Sequence, residues 1–222
     1  MTVDLPVTVV IINYKTPDLL QHAIASLRRF YPAVHLLVID NGSKDRHSDS
    51  IMQQWKERYP GKTDLVFNER NIHHGPAIDQ AVHHVSSPFL LLFDSDCELL
   101  AGGLIERMLE CAESSLTYAV GKRTWMDRRG FDLPEESTDA IPYIRPICML
   151  IRRDTYLTLA KGQRHGAPLL ANMRDAALHG YRVIDFPIEQ FVNHLGRGTA
   201  SRFGYQLGWK GKLNHLLHKM GL

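Results

Sequence analysis

Cysteine is scarce in this sequence: its 222 residues contain three, at Cys97, Cys111 and Cys148. They form no CxxC pair, and their odd number argues against a disulfide framework or a zinc knuckle. Free thiols persist in a reducing compartment. We therefore expect a cytoplasmic protein that is not built around disulfides.

Long apolar segments and strong net charge are also missing. The longest apolar runs, 7–12 and 89–93, are far shorter than the ~20 residues of a membrane helix. Asp4 and Pro6 interrupt the N-terminus before the first run, so we expect no secretory signal peptide there. The formal net charge of +2 is too small to make nucleic acid the main partner on electrostatic grounds.

The first part of the chain alternates between strands and helices. Apolar runs rich in β-branched residues, typical of strands buried on both faces, are separated by segments with helical spacing of apolar residues. Thr16 and Pro17 provide a helix start, with Thr16 as the N-cap. The alternation predicts an α/β protein with a mostly parallel sheet. The predicted strands are 7–12, 35–39, 65–67 and 89–93, and the helices between them begin near 17, 48 and 75.

The remainder of the chain has a less regular pattern. The segment 127–139 is charged and contains Gly130 and Pro134, which predicts a mobile loop. Strands are predicted at 118–120 and 147–151, with a last strand at 182–185, and helices at 103–114, from 154, and at 169–179.

Polar residues stand at the end of each of the first four predicted strands. In parallel α/β sheets, ligands bind outside the carboxyl ends of the strands. The four polar groups therefore predict one ligand site along this edge of the sheet. They are Asn13-Tyr14, Asp40, 68–71 and 94–96.

The tripeptide Asp94-Ser95-Asp96 is the strongest local signal. Its two carboxylates leave a buried strand together, and such hard oxygen ligands suit Mg²⁺ or Mn²⁺. A cation held there would neutralise a leaving diphosphate. The competing interpretation is an ordinary capped turn, since Asp and Ser favour turns. The position directly after the apolar run 89–93 favours the metal site.

Asp40 begins the turn Asp40-Asn41-Gly42-Ser43 after the second strand. A carboxylate at this place can accept a hydrogen bond from the imide N–H of uracil or thymine, whereas the simpler interpretation is an Asx or type I turn. Because Asp40 falls on the same predicted edge as Asp94 and Asp96, we favour base recognition.

In these segments the chain resembles family 2 of the glycosyltransferases, which have the GT-A fold. The similarity is carried by 9–14, 38–45, 68–75 and 93–96, and it continues through 149–154, 180–183 and 192–196. It implies a GT-A (Rossmann-like) domain over 1–200, with a nucleotide-sugar-binding half at 1–100, an acceptor half at 101–200 and a C-terminal helical tail at 201–222. The implied activity is metal-dependent transfer from a nucleoside-diphosphate sugar, with a UDP-sugar favoured, to an acceptor hydroxyl.

The resemblance also implies residue roles. The metal, Mn²⁺ or Mg²⁺, would be bound by Asp94 and Asp96, with His194 as a third ligand or else an ordinary loop histidine. Arg197 lies between two glycines and would pair with the diphosphate from a closing loop. The residues implied in donor binding are Ile12, Asn13, Tyr14, Asp40, Arg70, Asn71, Asp94, Ser95, Asp96 and Arg197.

One departure from the family concerns the catalytic base. Inverting relatives carry an acidic pair before the Gly-Tyr segment, but the matching positions here are Pro168, Leu169 and Ala171. The nearest acid is Asp175, about one helical turn later, which is either the base or a surface helix residue. Other sources of a base are Glu135, Glu136, Asp139 and His165, and a retaining mechanism or an inactive protein also stays open.

The segment from Tyr205 to Leu222 has the pattern of a basic amphipathic helix. It would pack on the domain or on a partner subunit, as in a homodimer, or lie on the inner membrane face as a peripheral contact. The acceptor stays open among a glycan, a lipid carrier, a small metabolite, a peptide and a nucleic acid. Two other functions compete: a nucleotidyltransferase, which the lack of glycine at 13–17 disfavours, and a non-catalytic nucleotide-sugar-binding module.

Overall fold

In the computed structural model, the residues described are 5–135, 137–163 and 166–196. The first half is a regular alternation of strands and helices, as the apolar pattern predicts. Its elements are β1 (Val7–Asn13), α1 (Pro17–Phe30), β2 (His35–Asp40), α2 (Arg46–Arg58), β3 (Thr63–Phe67), α3 (His74–His84), β4 (Phe89–Phe93) and β5 (Cys97–Leu99).

The second half pairs long strands with short helices. A 3₁₀ turn at Ile188–Gln190 precedes the last strand. The elements are α4 (Leu104–Cys111), β6 (Thr117–Met126), β7 (Ile141–Arg152), α5 (Arg153–Thr158), α6 (Leu170–Leu178), β8 (Arg182–Asp185) and β9 (Val192–His194).

Seven strands form the main sheet, in the order β3-β2-β1-β4-β7-β6-β8. Within it, β7 runs antiparallel to both β4 and β6, while the other neighbouring pairs are parallel. The expectation of a mostly parallel α/β sheet is confirmed. Because the four strands β1 to β4 point the same way, their carboxyl ends share one edge.

The strands β6 and β7 are longer than predicted. Together they form a hairpin around the loop 127–140, and the β6–β7 register shifts between Gly121 and Arg123. Pro142 and Pro146 interrupt the strand pattern in the sequence, because proline has no N–H to donate to the hydrogen bonds between strands. Pro146 lies opposite this register shift, so β7 also includes 141–146, which the sequence analysis assigned to no strand.

The core has two layers, one on each face of the sheet. One cluster includes Leu27 of α1, Met52 of α2 and Met108 of α4. The other includes Ile78 of α3 and Met173 of α6. Full burial of such side chains contributes about 1.5–3 kcal/mol each to the stability of the fold. The helices are therefore fixed to the two faces of the sheet, and the residues at the ends of the strands are available to form the site.

The strand β9 follows the segment that was predicted to be the last strand. It pairs with β5 in a separate two-stranded sheet beside the main one. The predicted tail helix lies outside the described residues, as do Arg197, Glu136 and His165. Among the helices in the described part of the chain, none has both the length and the apolar character to span a membrane.

Arg28 of α1 fixes the edge of the sheet opposite the predicted site. Its side chain is 3% exposed. Its guanidinium donates to the carbonyl oxygens of Val34 (2.7 Å) and Lys62 (2.7 Å) and to Oγ1 of Thr63 (2.9 Å). These bonds hold the segments that enter β2 and β3. Burial lowers the pKa of Arg28 to about 10, so it stays charged at neutral pH.

We predict that Arg28→Ala destabilises the fold by about 3 kcal/mol, because buried carbonyl groups lose a charged donor. Arg29→Ala is the matched control, since Arg29 is exposed on the same helix, and it should cost less than about 0.5 kcal/mol. Chemical denaturation measures both. Equal stabilities of the two variants would contradict the role given to Arg28.

Candidate functional site

The loops after β1, β2 and β3 lie side by side at the carboxyl edge of the sheet. Each contains a non-glycine residue with positive φ: Lys15 (57°), Lys44 (52°) and His73 (72°). Such conformations cost free energy and occur often at ligand sites. The strained backbone therefore marks the same edge that the polar residues predicted.

Asn13 and Asp40 join the ends of β1 and β2. Asn13 Nδ2 donates to Asp40 Oδ1 at 3.1 Å, and Asp40 Oδ2 accepts from the backbone N–H of Ser43 at 2.8 Å. Asn13 is 0% exposed and Asp40 3% exposed. Both predicted donor-binding residues therefore lie beneath the surface of the site, where they fix the loops that line it.

Thr16 is the N-cap residue of α1, as predicted, but its hydroxyl makes no capping hydrogen bond. It donates instead to Asn13 Oδ1 at 2.9 Å and lies 3.3 Å from the hydroxyl of Ser95. The N-cap position is therefore as predicted, while the hydroxyl bonds to the end of β1 and not to the backbone of the helix. The contact between the hydroxyls of Thr16 and Ser95 ties the start of α1 to the tripeptide 94–96, in which Ser95 is buried.

Asn41 holds the loop after β3, a role that sequence reasoning missed. Its Oδ1 accepts from the backbone N–H of Ile72 (3.1 Å) and from Asn68 Nδ2 (3.2 Å), while its Nδ2 donates to Asn71 Oδ1 (3.3 Å). Asn68 also exchanges hydrogen bonds with Gln80 of α3. An amide side chain directly after a strand was the available signal, since Asn favours such loop contacts.

A cavity of about 360 Å³ opens on this loop. The predicted donor-binding residues Arg70 and Asn71 are both exposed and line it. Ile12 and Tyr14 are partly exposed at the end of β1, and Lys15 Nζ lies 5.2 Å from the centre of the Tyr14 ring. The cavity is lined by Arg70, Asn71, Ile72, His73 and Pro76.

Asp94, Asp96 and His194 come together at the end of β4. One potential ligand atom from each lies within 4.8 Å of the others. The pairing of β5 with β9 sets Cys97 opposite His194, and Leu195 N donates to the carbonyl oxygen of Asp96 at 2.9 Å. His194 Nε2 lies 3.3 Å from Asp96 Oδ1. The structure thus groups the three predicted metal ligands.

The electrostatics of this group suit a divalent cation. Burial, followed by the charge of Asp96, raises the pKa of Asp94 to about 8. The hydrogen bond to Asp96 raises the pKa of His194. The crowded carboxyls thus favour extra positive charge, which a proton or a metal ion supplies. Two carboxylates and an imidazole form a donor set that fits Mn²⁺ or Mg²⁺.

The predicted base, Asp175, lies in α6 and has partners of its own. Its Oδ2 accepts from the backbone N–H of Ala160 at 2.9 Å, and its Oδ1 lies 3.3 Å from His179 Nδ1. The carboxylate therefore anchors the segment after α5. Among the other candidates, Glu135 is exposed and pairs with Arg123 at 3.6 Å, and Asp139 is also exposed.

Comparison with known proteins gives one family match. The model of the family described as Glycosyl transferase family 2 matches residues 8–166. This range contains β1 apart from its first residue, β2 to β7, both Asp94 and Asp96, and the cavity-lining loop. No curated protein matches the chain in sequence.

Solved structures share the fold at low sequence identity. The mannosyltransferase PcManGT from Pyrobaculum calidifontis, in complex with GDP-Man and Mn²⁺, is 16% identical, with a TM-score of 0.66 over 84% of this chain and 56% of that one. GalNAc-T7 with UDP, GalNAc and Mn²⁺ is 14% identical, with a TM-score of 0.73 over 97% and 48%. TarS 1–349 of S. aureus is 14% identical, with a TM-score of 0.60 over 86% and 60%. The chain therefore spans between 48% and 60% of these proteins.

We predict that Gly42→Ala destabilises the protein and weakens nucleotide binding. Gly42 has φ +79°, and an added Cβ would lie 2.2 Å from the carbonyl carbon of Arg70, so the cavity-lining loop must move. Gly61→Ala is the control, since Gly61 has φ +69° but no atom within 4 Å of an added Cβ. The difference in unfolding free energy should be about 2 kcal/mol. Identical stability and nucleotide affinity in the two variants would argue against this close contact.

We predict that Mn²⁺ binding weakens as the pH falls. Because the pKa of Asp94 is raised to about 8, its proton must leave before the carboxylate can bind a cation. From pH 8 to pH 6 the affinity should fall about tenfold per unit for each proton displaced. Calorimetric titration with Mn²⁺ measures this. Asp94→Asn should flatten the dependence, and an affinity of the wild type that is constant over this range would exclude the mechanism.

Proposed function

This chain belongs to glycosyl transferase family 2 and has the GT-A fold, and on that premise we propose that it transfers a sugar from a UDP-sugar to an acceptor hydroxyl with the help of a bound Mn²⁺ or Mg²⁺. The observation that carries the proposal is the convergence of Asp94, Asp96 and His194 at the end of β4, on the same edge of the sheet as the loop that lines the cavity.

The metal would be held by Asp94, Asp96 and His194. These groups lie close enough to share one ion, and no described residue donates a hydrogen bond to the Asp94 carboxyl, which leaves it open to a ligand. When bound, the cation would neutralise charge on the departing diphosphate. The backbone orients two of these ligands. His194 belongs to β9, which pairs with β5, and the carbonyl oxygen of Asp96 accepts from Leu195 N just after β9.

The nucleoside would lie over the ends of β1, β2 and β3. Tyr14, Arg70 and Asn71 are exposed enough to contact it, whereas Asn13 and Asp40 would act from beneath. The loop after β1 has no glycine and leads directly into Pro17, so its backbone offers no glycine-rich cradle for a triphosphate. This favours a diphosphate sugar over a nucleoside triphosphate as the donor.

Asp175 is our proposed general base for the acceptor hydroxyl. Its carboxylate holds Ala160 through a hydrogen bond, so proton transfer requires that this bond be exchanged for one to the acceptor. A carboxylate reaches a substrate proton only at hydrogen-bond distance. Membrane contact, a homodimer and the pairing of Arg197 with the diphosphate stay predictions, since they depend on residues outside those described.

We predict that Asp96→Ala abolishes metal-dependent UDP binding while the fold stays intact. The variant removes the carboxylate that contacts His194 (3.3 Å) and leaves the sheet untouched. Calorimetry with UDP, GDP, CDP, dTDP and ATP, each with and without Mn²⁺, measures the change and names the base. In the wild type, one diphosphate, UDP, should bind only with Mn²⁺.

The control for Asp96→Ala is Asp64→Ala. Asp64 is an exposed carboxylate near the amino end of β3, so its loss changes the net charge equally without touching the site. It should bind UDP and Mn²⁺ as the wild type does. Unchanged UDP affinity in Asp96→Ala would sink the metal assignment, and preference of the wild type for ATP would move the function to nucleotidyl transfer.

A further inference from the structure

A second cavity, of about 460 Å³, opens beside the metal group. His194 belongs to both, so a molecule bound in this cavity lies next to the proposed cation. Cavities of roughly 300–1,000 Å³ are the usual size of small-molecule sites. Because the nucleoside is assigned to the ends of β1, β2 and β3, this cavity is left for another ligand.

One wall of the cavity is formed where the pairing of β6 with β7 is irregular. The register shifts between Gly121 and Arg123. Lys122 and Ile147, which both line the cavity, fall at this shift. Asp94 N donates to the carbonyl oxygen of Ile147 at 2.8 Å, so this wall is joined to the first of the proposed metal ligands. Such bulges occur often beside active sites, where they redirect side chains.

The opposite wall is apolar. It includes Ile188 and Val192, which are buried, and Leu100, which is 50% exposed. Leu100 N donates to the carbonyl oxygen of Phe191 at 2.7 Å, so Leu100 is held against the segment that leads into β9. A ligand that covers the exposed part of Leu100 removes apolar surface from water, which favours binding.

The charged side chains of this cavity already have partners. Lys122 Nζ lies 3.4 Å from Glu189 Oε1. His194 Nε2 lies 3.3 Å from Asp96 Oδ1. A charged ligand would have to compete with these pairs, whereas an uncharged apolar group would leave them intact. The lining therefore favours a ligand whose bound part is apolar and uncharged.

We propose that this cavity, the acceptor cavity, binds the sugar acceptor, and that the acceptor carries an uncharged alkyl or aromatic group next to the hydroxyl that receives the sugar. This inference rests on the proposed function and narrows its acceptor. The apolar group would lie against Leu100, Ile147 and Val192, and the hydroxyl would face the donor past His194. A polyanion such as a nucleic acid would gain little from this lining.

The test is a titration with straight-chain alcohols, the simplest probes that join a hydroxyl to an apolar group. The protein carries ¹³C-labelled methyl groups and is bound to UDP and Mg²⁺, which does not broaden the signals. The methyl shifts of Leu100, Ile147 and Ile188 report binding. Affinity should rise about fourfold for each methylene from ethanol to 1-butanol to 1-hexanol, because each methylene that enters the cavity leaves water.

Two further probes define the chemistry of the apolar group. Hexanoate has the chain length of 1-hexanol and a charge. It should bind about tenfold more weakly than 1-hexanol, because a carboxylate is costly to bury without a partner. Benzyl alcohol distinguishes an aromatic ring from an alkyl chain, and preference for either one over ethanol supports the inference. Equal affinity for hexanoate and 1-hexanol would contradict it.

Leu100→Gln keeps the length of the side chain and removes its apolar contact. It should weaken 1-hexanol binding by about fourfold or more. Leu116→Gln is the matched control, because Leu116 is 46% exposed but lies outside the lining of the acceptor cavity. This control should bind 1-hexanol as the wild type does.

Three results would overturn the inference: an affinity that does not depend on chain length, equal affinities of the two variants, or no methyl shift with any alcohol. The last result is expected if another part of the chain or a second copy fills the acceptor cavity. Failure of the proposed function is seen separately, as an absence of UDP binding by the wild type in the presence of the metal ion.

Discussion

The hydrogen bond from Asn13 to Asp40 is the contact on which the carboxyl edge of this sheet depends. Asn13 is the last residue of β1, and its amide bonds to Asp40 at the end of β2. The same amide also accepts from the hydroxyl of Thr16 at 2.9 Å and donates to the hydroxyl of Ser48 at 3.3 Å. Those two residues stand at the start of α1 and in the first turn of α2. Because all four groups are buried, loss of the amide would leave several polar atoms unpaired at once.

The metal group depends on a different constraint, the pairing of β5 with β9. β5 has three residues and β9 has three, so neither would be stable alone. Their pairing gains support from Cys97, Leu99 and Val192, which are buried in the core beside α1 and α4. The position of His194 therefore follows from the packing of apolar neighbours, and the metal site inherits its geometry from the core.

The sequence predicts the first four strands and their helices because their apolar pattern is a local signal. Asp94 and Asp96 were predicted for the same reason, since both directly follow a buried strand. The antiparallel direction of β7 and the strand β9 were not predicted, because pairing between distant segments leaves little trace in either segment. Pro142 and Pro146 obscured β7, and His194 was indicated by resemblance alone. The hydrogen bonds of Asn41 to the loop after β3 could not be predicted, because the sequence does not show which loops lie beside Asn41.

The two halves of the edge differ in what holds them. The part formed by the ends of β1, β2 and β3 is fixed by buried amides and by tight backbone contacts, such as that of Gly42 with Arg70. The described part of the loop 127–140 has exposed ion pairs, such as Arg145 with Asp132 at 2.7 Å, besides backbone hydrogen bonds, such as that from Leu133 N to the carbonyl oxygen of Trp125 at 2.8 Å. Exposed pairs contribute at most about 1 kcal/mol each, so they stabilise this loop less than the buried amides stabilise the ends of β1 and β2. The two parts of the edge are therefore held by different kinds of contact, buried amides at one part and a hairpin with exposed ion pairs at the other. Pro168 and Leu169 stand where inverting members of the family carry an acidic pair, so the residues before α6 give no local signal for the base that the proposed transfer requires.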